Sequence, residues 1–193
     1  SIRAAQAGAT TGEWSDTLRQ LLGEYRAPTG VGAARVASSN ESIDALRDRV
    51  AKRSNELGRR LKILVGKPGL DGHSNGAEQI AVKARDVGME VVYDGIRLTP
   101  EEIVQSARDE GVHVIGLSIL SGSHSVLVTQ VLEGLRKEGL ADLPVVVGGI
   151  IPDEDAARLE EAGVRRVYTP KDFDLTRIMN EIVDIVRASD RSQ

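Results

Sequence analysis

From Leu61 onward, strand-like and helix-like segments alternate five times, and this rhythm limits the possible fold more than any other feature. The strand-like runs cover residues 61–66, 90–94, 112–118, 144–148 and 165–168. The helix-like segments cover residues 75–88, 99–110, 124–138, 153–162 and 174–188. Repeated strand–helix units are typical of a parallel sheet with helices on both faces. We therefore predict a flavodoxin-like (Rossmann-like) α/β fold, with five parallel strands in the order 2-1-3-4-5.

The ends of these helices carry local signals. Thr99, Pro100 and Glu102 have the pattern of a capping box with a proline in the first helical turn. Glycine stands where four of the helices should stop, at Gly88, Gly111, Gly139 and Gly163.

The first sixty residues have a different character. Two helices are predicted there, at 13–22 and 43–57, and a stretch rich in glycine, proline and small polar residues separates them. We interpret residues 1–60 as a linker arm, partly extended and partly helical, rather than a second domain. The globular domain is then predicted over residues 61–193.

Composition excludes several classes of function. The chain has no Cys, and so no disulfide, thiolate metal site or Cys nucleophile. Residues 61–193 carry fifteen Lys or Arg and twenty-two Asp or Glu, a net charge of −7, which argues against a nucleic-acid partner. No apolar run approaches the roughly 20 residues of a membrane span, and we predict a cytoplasmic protein with no membrane partner.

Four loops lie at the carboxyl edge of the predicted sheet. In open parallel sheets, ligands bind beyond this edge, near the point where the strand order reverses. All four loops are rich in Gly, Ser or Thr, so a backbone could approach a ligand closely. They are residues 71–76, 118–124, 148–152 and 168–172.

The first of these loops follows Lys67 and contains one Asp and one His at close spacing. Lys67 can keep Asp71 ionised, and Asp71 can bind one ring nitrogen of His73, which leaves the other nitrogen free for a metal. One imidazole is too little for structural zinc, but it can complete a metal held by an organic macrocycle. The alternative is a loop histidine with a local Asp contact, and the spacing leaves both open.

The other loops offer hydroxyl groups and glycine. Residues 118–125 suit either hydrogen bonding to a ligand or ordinary capping of the next helix. Gly148 and Gly149 either leave room for a flat group or simply form a turn. His124 is expected to face the ligand or the solvent. Dinucleotide, P-loop and nucleophile-elbow motifs do not occur in the sequence, which argues against those nucleotide-binding classes and against a hydrolase.

These loop residues resemble the signature of a known family. The signature of its cobalamin-binding domains consists of D-x-H-x-x-G, S-x-L and G-G elements, each at the carboxyl end of a strand. The matching residues are Asp71, His73 and Gly76, then Ser118 and Leu120, then Gly148 and Gly149. All three elements occur in order, so the chain resembles the cobalamin-binding domain of adenosylcobalamin-dependent acyl-CoA mutases.

Longer segments resemble the ethylmalonyl-CoA mutase branch, which is close to methylmalonyl-CoA mutase. These segments are residues 66–80, 117–124 and 168–173, with 12–14 and 23–31 in the arm. The resemblance thus covers nearly the whole chain. Methylmalonyl-CoA mutases tend to carry a Gly-Pro-Gly-Thr turn after the last strand, and Tyr168-Thr169-Pro170-Lys171 departs from that pattern.

The resemblance implies that the cofactor is adenosylcobalamin. His73 would replace the cofactor's own dimethylbenzimidazole as lower cobalt ligand, with Asp71 orienting His73 and Lys67 polarising Asp71. The released nucleotide tail would lie between sheet and helices, and the upper cobalt–carbon bond would break homolytically to start radical chemistry. The implied cofactor-binding residues are Lys67, Asp71, Gly72, His73, Ser74, Gly76, Ser118, Leu120, Ser121, Gly148, Gly149, Tyr168, Thr169 and Pro170.

The resemblance also implies an enzyme of which this chain is one part. Such a mutase would rearrange ethylmalonyl-CoA to methylsuccinyl-CoA, with the acyl-CoA in a barrel domain or subunit that covers the corrin. A barrel of this kind needs about 250 residues, and the chain has 193. We expect the chain to bind cobalamin without turning over acyl-CoA, and to contain no catalytic residue itself. The full enzyme is expected to be a homodimer.

Two alternatives remain at this point. A corrinoid carrier module of a methyltransferase usually has a helical bundle before its α/β domain, and residues 1–60 are too short and too rich in small residues to form one. A non-cobalamin signalling domain of the receiver type needs an acidic cluster and a phosphoacceptor Asp after the third strand. This chain has Ser118 there.

Overall fold

Five parallel strands form one sheet in the part of the chain that the structure describes. They are β1 (Lys62–Gly66), β2 (Glu90–Val92), β3 (Val114–Ile119), β4 (Val145–Gly149) and β5 (Arg166–Tyr168). Their order across the sheet is β2-β1-β3-β4-β5, with every pair parallel. The predicted flavodoxin-like topology is therefore confirmed.

The structure is a computed structural model that describes residues 2–23 and 36–186, and the side chains of the second range from residue 42 onward. The glycine- and proline-rich break predicted between the first two helices lies largely outside the described residues. The chain divides into two units, Ser1–Ser38 and Ser39–Gln193, and each is described by itself.

One helix follows each strand of the sheet. These helices are α4 (Asn75–Asp86), α5 (Pro100–Glu110), α6 (His124–Lys137), α7 (Asp153–Ala162) and α8 (Leu175–Ile185), and α3 (Val36–Leu57) precedes β1. The core has two parts, one on each face of the sheet. One part contains side chains from α3, α4 and α8, and the other contains side chains from α5, α6 and α7.

Alternation along the strands divides their side chains between these two parts of the core. In β1, Ile63 and Val65 belong to the α3, α4 and α8 side, whereas Leu64 belongs to the opposite side. In β3, Val114 and Ile115 divide in the same way. This period of two is intrinsic to a strand, and burial on both faces makes the positions of β1 and β3 apolar or small, except Lys62 at the start of β1.

Helix α5 has the capping box at its start and the glycine at its end that the sequence predicts. Thr99 Oγ1 accepts from the Glu102 backbone N–H at 3.1 Å, and Glu102 Oε2 accepts from the Thr99 N–H at 2.7 Å. Gly111 ends α5 with a φ of 56°, in the left-handed region that favours glycine. The capping-box prediction for α5 is therefore confirmed.

Helix α3 extends the globular unit beyond the predicted domain. The sequence predicts a helix over 43–57 inside a linker arm, whereas α3 spans Val36–Leu57. Leu46 and Val50 are each only 1% exposed and lie in the core with the side chains of α4 and α8. The compact unit consequently starts at Ser39 instead of residue 61. That the preceding residues connect to a barrel stays a prediction.

Two short helices lie within residues 2–23, the part of the first unit that precedes α3 in the described ranges. Helix α1 (Ile2–Gln6) has no counterpart in the prediction, and α2 (Thr11–Leu22) begins two residues before the predicted start. Thr10 caps α2 through a capping box with Glu13. Within the described ranges, no helix combines the length and the apolar character that crossing a membrane requires.

Truncation of Leu46 tests the assignment of α3 to the core. Leu46→Ala should lower the free energy of unfolding by about 2–5 kcal/mol, because the lost methyl groups leave a cavity beneath the helix. The control is Val82→Ala on α4, where the side chain is 54% exposed and the change should stay within about 0.5 kcal/mol. Urea unfolding followed by circular dichroism measures both. Equal effects of the two substitutions would show that α3 lies outside the folded core.

Candidate cofactor-binding site

Three side chains form a hydrogen-bonded chain beyond the carboxyl end of β1. Lys67 Nζ donates to Asp71 Oδ2 at 2.8 Å, and His73 Nδ1 lies 2.6 Å from Asp71 Oδ1. The His73 backbone N–H also donates to Asp71 Oδ1, at 3.0 Å. The contacts that the spacing of these residues suggests are therefore present.

The ionised Asp71 determines which ring nitrogen of His73 carries a proton. Lys67 is fully buried, and the Asp71 side chain is 10% exposed. The hydrogen bond from Lys67, and then those from His73, hold the pKa of Asp71 well below its usual range. Since an ionised carboxylate only accepts hydrogen bonds, Nδ1 of His73 must carry the proton. The lone pair of a neutral His73 is then on Nε2.

His73 is presented to an open cavity of about 780 Å³. Its side chain is 80% exposed, and Nε2 has no hydrogen-bond partner within the described residues. The same residues include no cluster of three or more His, Cys, Asp or Glu side chains able to hold a metal ion. His73 can therefore supply one ligand to a metal whose other ligands come from a bound molecule.

Neighbouring elements hold the loop that carries His73. The Gly69 N–H donates to the Leu98 carbonyl at 3.0 Å, and the Leu98 N–H donates to the Lys67 carbonyl at 3.1 Å. Gly69 has a φ of 86°, and a Cβ there would lie 2.9 Å from Leu127 Cδ1 of α6. The backbone conformation favours glycine at this position, and a larger residue would also force the Leu127 side chain to move.

A second cavity, of about 410 Å³, lies between the sheet and helices α4 and α8. The strand register places Ser118 beside Gly148, and Gly148 beside Tyr168, in one row across β3, β4 and β5. Gly76 at the start of α4 faces this row, since a Cβ there would lie 3.9 Å from Ser118 Oγ. Ser118 and Gly148 in this row, with Gly76 in the facing turn of α4, leave a crevice at the carboxyl edge because their side chains are small or absent. Leu120 lines both cavities.

The two adjacent glycines of β4 have different roles. A Cβ on Gly149 would lie 1.9 Å from the Ile119 carbonyl oxygen, so backbone packing between β3 and β4 requires glycine there. A Cβ on Gly148 would meet nothing closer than 4.0 Å. Gly148 therefore keeps the crevice open, whereas Gly149 allows the two strands to pair.

The Tyr168 hydroxyl group is an unsatisfied polar atom at the crevice. It is buried and has no hydrogen-bond partner within the described residues. Burial, together with the nearby Glu181 carboxylate, raises the pKa of Tyr168, so its phenol stays neutral. Although Tyr168 lines the crevice, its hydroxyl oxygen is enclosed by protein beside Glu181 and is not open to a ligand there.

The structure brings most of the predicted binding residues to these two cavities. Those that line the crevice are Gly76, Ser118, Leu120, Gly148, Gly149, Tyr168, Thr169 and Pro170. Those that line the open cavity are Asp71, His73, Leu120 and Ser121. Lys67, Gly72 and Ser74 line neither; Lys67 acts through Asp71, and the Ser74 side chain forms no cap for α4. Their binding of a cofactor stays a prediction.

Sequence reasoning missed the helical wall of the crevice. Leu175, Ile178 and Ile182 of α8, with Phe173 just before this helix, line the side opposite the strands. The apolar pattern of α8 indicates that one face of the helix is buried. It does not indicate that part of that face lines a cavity, because this depends on the small residues of the facing strands.

In the loop between β3 and α6, the expected side-chain capping of the next helix is not observed, and hydrogen bonding to a ligand stays a prediction. Ser123 precedes α6 without a side-chain capping bond, and its hydroxyl group instead lies 2.6 Å from that of Ser121. His124 is 5% exposed, and its Nε2 lies 3.0 Å from Asp155 Oδ2. His124 therefore faces α7, and faces neither the solvent nor the open cavity.

The buried ion pair gives a test of how the His73 loop is held. Asp71→Ala should lower the free energy of unfolding by about 3–5 kcal/mol, because it leaves the buried Lys67 ammonium group without a counter-charge. Adding Lys67→Met should recover most of this loss, since methionine is of similar length and needs no partner. Urea unfolding of the single and double variants measures the effect. A double variant as unstable as Asp71→Ala would contradict this account.

Comparison with known proteins agrees with this geometry. The family model described as the B12 binding domain matches residues 61–172. Ethylmalonyl-CoA mutase from Cereibacter sphaeroides is 62% identical over 186 residues, which are 96% of this chain and 28% of that protein. Ethylmalonyl-CoA mutase from Methylorubrum extorquens is 54% identical over 198 residues, which are 100% of this chain and 28% of that protein. The chain thus spans less than a third of the length of these relatives.

Among solved structures, a cobalamin-binding protein from Desulfitobacterium hafniense is similar with a TM-score of 0.59. The similarity covers 80% of this chain and 76% of that one, at 20% sequence identity, and it supports the fold alone. The match to the family model covers more than half of the chain and includes the loops that carry Asp71, His73, Ser118 and Gly148. The chain therefore belongs to the B12 binding domain family.

Proposed function

We propose that this chain is the cofactor-binding part of an adenosylcobalamin-dependent mutase that converts ethylmalonyl-CoA to methylsuccinyl-CoA. Membership of the B12 binding domain family supports cobalamin as the ligand. The identities of 62% and 54% to ethylmalonyl-CoA mutases support the substrate. The observation that carries the proposal is the hydrogen-bonded chain of Lys67, Asp71 and His73, which leaves one imidazole nitrogen free beside an open cavity.

In this proposal His73 is the lower axial ligand of cobalt. Asp71 accepts a hydrogen bond from the Nδ1–H group of His73, which fixes the ring orientation and makes Nε2 a stronger donor to the metal. Lys67 keeps Asp71 ionised, so the carboxylate retains this role over the physiological pH range. When bound, adenosylcobalamin supplies an organic radical through homolysis of its upper cobalt–carbon bond.

The crevice between sheet and helices is the proposed site of the nucleotide tail. Its volume of about 410 Å³ lies within the usual range of small-molecule sites, about 300–1,000 Å³. Most of its walls are aliphatic, which suits an aromatic base. The hydroxyl groups of Ser118 and Thr169 supply polar contacts at the same surface. Leu120 lies where the crevice and the open cavity meet, so one ligand can occupy both.

The acyl-CoA substrate is proposed to be held by a barrel domain or subunit that covers the carboxyl edge of the sheet. Three apolar side chains around the open cavity are exposed there: Leu70 by 89%, Ile150 by 66% and Leu120 by 37%. Clustered exposed apolar side chains of this kind are typical of an interaction surface.

We further propose that the full enzyme is a homodimer in the cytoplasm, a compartment with which a chain lacking Cys is compatible.

The comparisons favour the mutase over the two alternatives. The alignments with ethylmalonyl-CoA mutases extend over 96% and 100% of the chain, and so include the first sixty residues. A methyltransferase carrier module would have a helical bundle in that position. Membership of the B12 binding domain family argues against a signalling domain without cobalamin.

An absorption spectrum after desalting tests the role of His73. The wild-type chain, mixed with hydroxocobalamin and desalted, should retain corrin with a spectrum that reports histidine in the lower position. His73→Ala should lose this spectral form and bind at least about tenfold more weakly. Retention of corrin with an identical spectrum by His73→Ala would contradict the assignment of the ligand.

The matched control for that experiment is His113→Asn. His113 Nδ1 accepts the Lys62 N–H at 2.9 Å, at the amino end of β3 and so away from the cavities. Asparagine keeps an acceptor close to the same position, so the variant should fold and retain corrin as the wild type does. If the wild-type chain retains no corrin, the proposal that this unit binds cobalamin by itself is wrong.

A graded series at Gly148 tests the crevice. Gly148→Ala and Gly148→Val should leave the unfolding midpoint within a few degrees of wild type, because a Cβ meets no atom within 4 Å except the Leu117 oxygen at 4.0 Å. Cobalamin binding should weaken progressively, by about tenfold or more for valine, since each added methyl group fills space needed by the tail. Spectral titration measures the binding. Wild-type affinity in Gly148→Val would place the tail elsewhere.

A further inference from the structure

Phe173 is the one phenylalanine in a chain with only 3% aromatic residues. Its side chain is 88% exposed, although an aromatic ring of this size is usually buried at least in part. It nevertheless lines the crevice, together with residues of β3, β4 and α8. Phe173 does not line the open cavity around His73. The ring thus lies at the edge of the crevice and away from the open cavity.

The Phe173 ring contributes little to the stability of the fold. Phe173 directly precedes Asp174, the N-cap residue of α8. In this position an apolar side chain often packs on the fourth residue of the helix, here Ile178, as a hydrophobic staple. Ile178 is 3% exposed and already covered by the core, whereas Phe173 is almost fully exposed. The ring therefore contributes little to the start of α8, and its removal should cost little stability.

The backbone on both sides of Phe173 is nevertheless fixed. The Asp172 N–H donates to the Thr169 carbonyl at 2.8 Å, and Asp172 Oδ2 accepts from the Thr169 N–H at 2.9 Å. Arg177 binds the other carboxylate oxygen of Asp172. Asp174 accepts from the N–H groups of Thr176 and Arg177, at 2.9 and 3.2 Å. A ring held between two fixed residues can meet a ligand mainly by rotation of its side chain.

We propose that Phe173 stacks on the aromatic base of the cofactor's nucleotide tail and closes the crevice over it. This inference rests on the proposed function, because the base reaches the crevice only when His73 replaces it at cobalt. Near the carboxyl edge, the strand side of the crevice consists of Ser118 and Gly148, which present little side-chain surface to a flat group. Phe173 supplies a ring that can offer a flat base a parallel surface.

The site also predicts which part of the cofactor Phe173 recognises. Leu70 is as exposed as Phe173, at 89%, but it lines the open cavity with His73 and not the crevice. Leu70 should therefore contact the macrocycle, whereas Phe173 should contact only the tail. Cobinamide, a corrin that lacks the nucleotide tail, separates these two contributions.

Spectral titration of the chain with cobalamin and with cobinamide tests the proposal. Phe173→Ala should weaken cobalamin binding by about five- to a hundredfold, the range expected for loss of one base–aromatic stack. Its cobinamide affinity should stay within about twofold of wild type. Phe173→Tyr should restore cobalamin binding, since it keeps the ring. Leu70→Ala, the control, should weaken both ligands to a similar degree.

The possible results distinguish failure of the stacking role of Phe173 from failure of the proposed function. Equal cobalamin affinity in wild type and Phe173→Ala would overturn the stacking role while leaving the proposed function intact. Equal weakening of cobalamin binding and cobinamide binding by Phe173→Ala would also overturn the stacking role, because the ring would then contact the macrocycle. Absence of binding of either corrin by the wild type would overturn the proposed function and this inference with it. Unchanged unfolding midpoints of the unliganded variants exclude misfolding as the cause.

Discussion

A buried ammonium group determines how the loop after β1 is arranged. Lys67 follows β1 at a position where alternation directs its side chain to the same face as Ile63 and Val65. A lysine with no solvent contact needs a counter-charge, because an unpaired buried charge costs several kcal/mol. Asp71 meets this need, and its second carboxylate oxygen binds His73 from both the ring and the backbone. The orientation of an exposed imidazole thus depends on a charge that the solvent does not reach.

The location of the crevice follows from an asymmetry between the two faces of the sheet. The face toward α5, α6 and α7 is filled with large aliphatic side chains up to the carboxyl edge, for example Leu117 and Ile119. On the other face, β3 and β4 carry two small residues near this edge, Ser118 and Gly148, which lie side by side. Helices α4 and α8 pack over this face but leave a cavity of about 410 Å³ above the small residues. A cavity therefore opens next to the His73 loop, and one ligand can contact both.

Much of this arrangement could be predicted from local patterns. Strand periodicity, glycine stops and the Thr99–Glu102 capping box depend on residues close in sequence, and so the strand order and the ends of α5 were predictable. The contacts of Lys67, Asp71 and His73 span only seven residues and were predictable for the same reason. The membership of α3 in the core was not, because Leu46 and Val50 share that core with side chains of β1, α4 and α8, which are separate elements of the fold. The pairing of His124 with Asp155 was missed for a similar reason, since it joins α6 to α7.

The sequence by itself determined the fold class, the edge of the sheet that carries the site, and the histidine presented there. These properties follow from side-chain alternation and from motifs within single loops, in which neighbours along the chain are also neighbours in space. Only the tertiary structure distinguished Gly148, which keeps the crevice open, from Gly149, which allows β3 and β4 to pair. It also decided that Phe173 lies exposed at the crevice instead of packing on α8. Both distinctions depend on distances between atoms of different elements, and no pattern along one segment of chain encodes such distances.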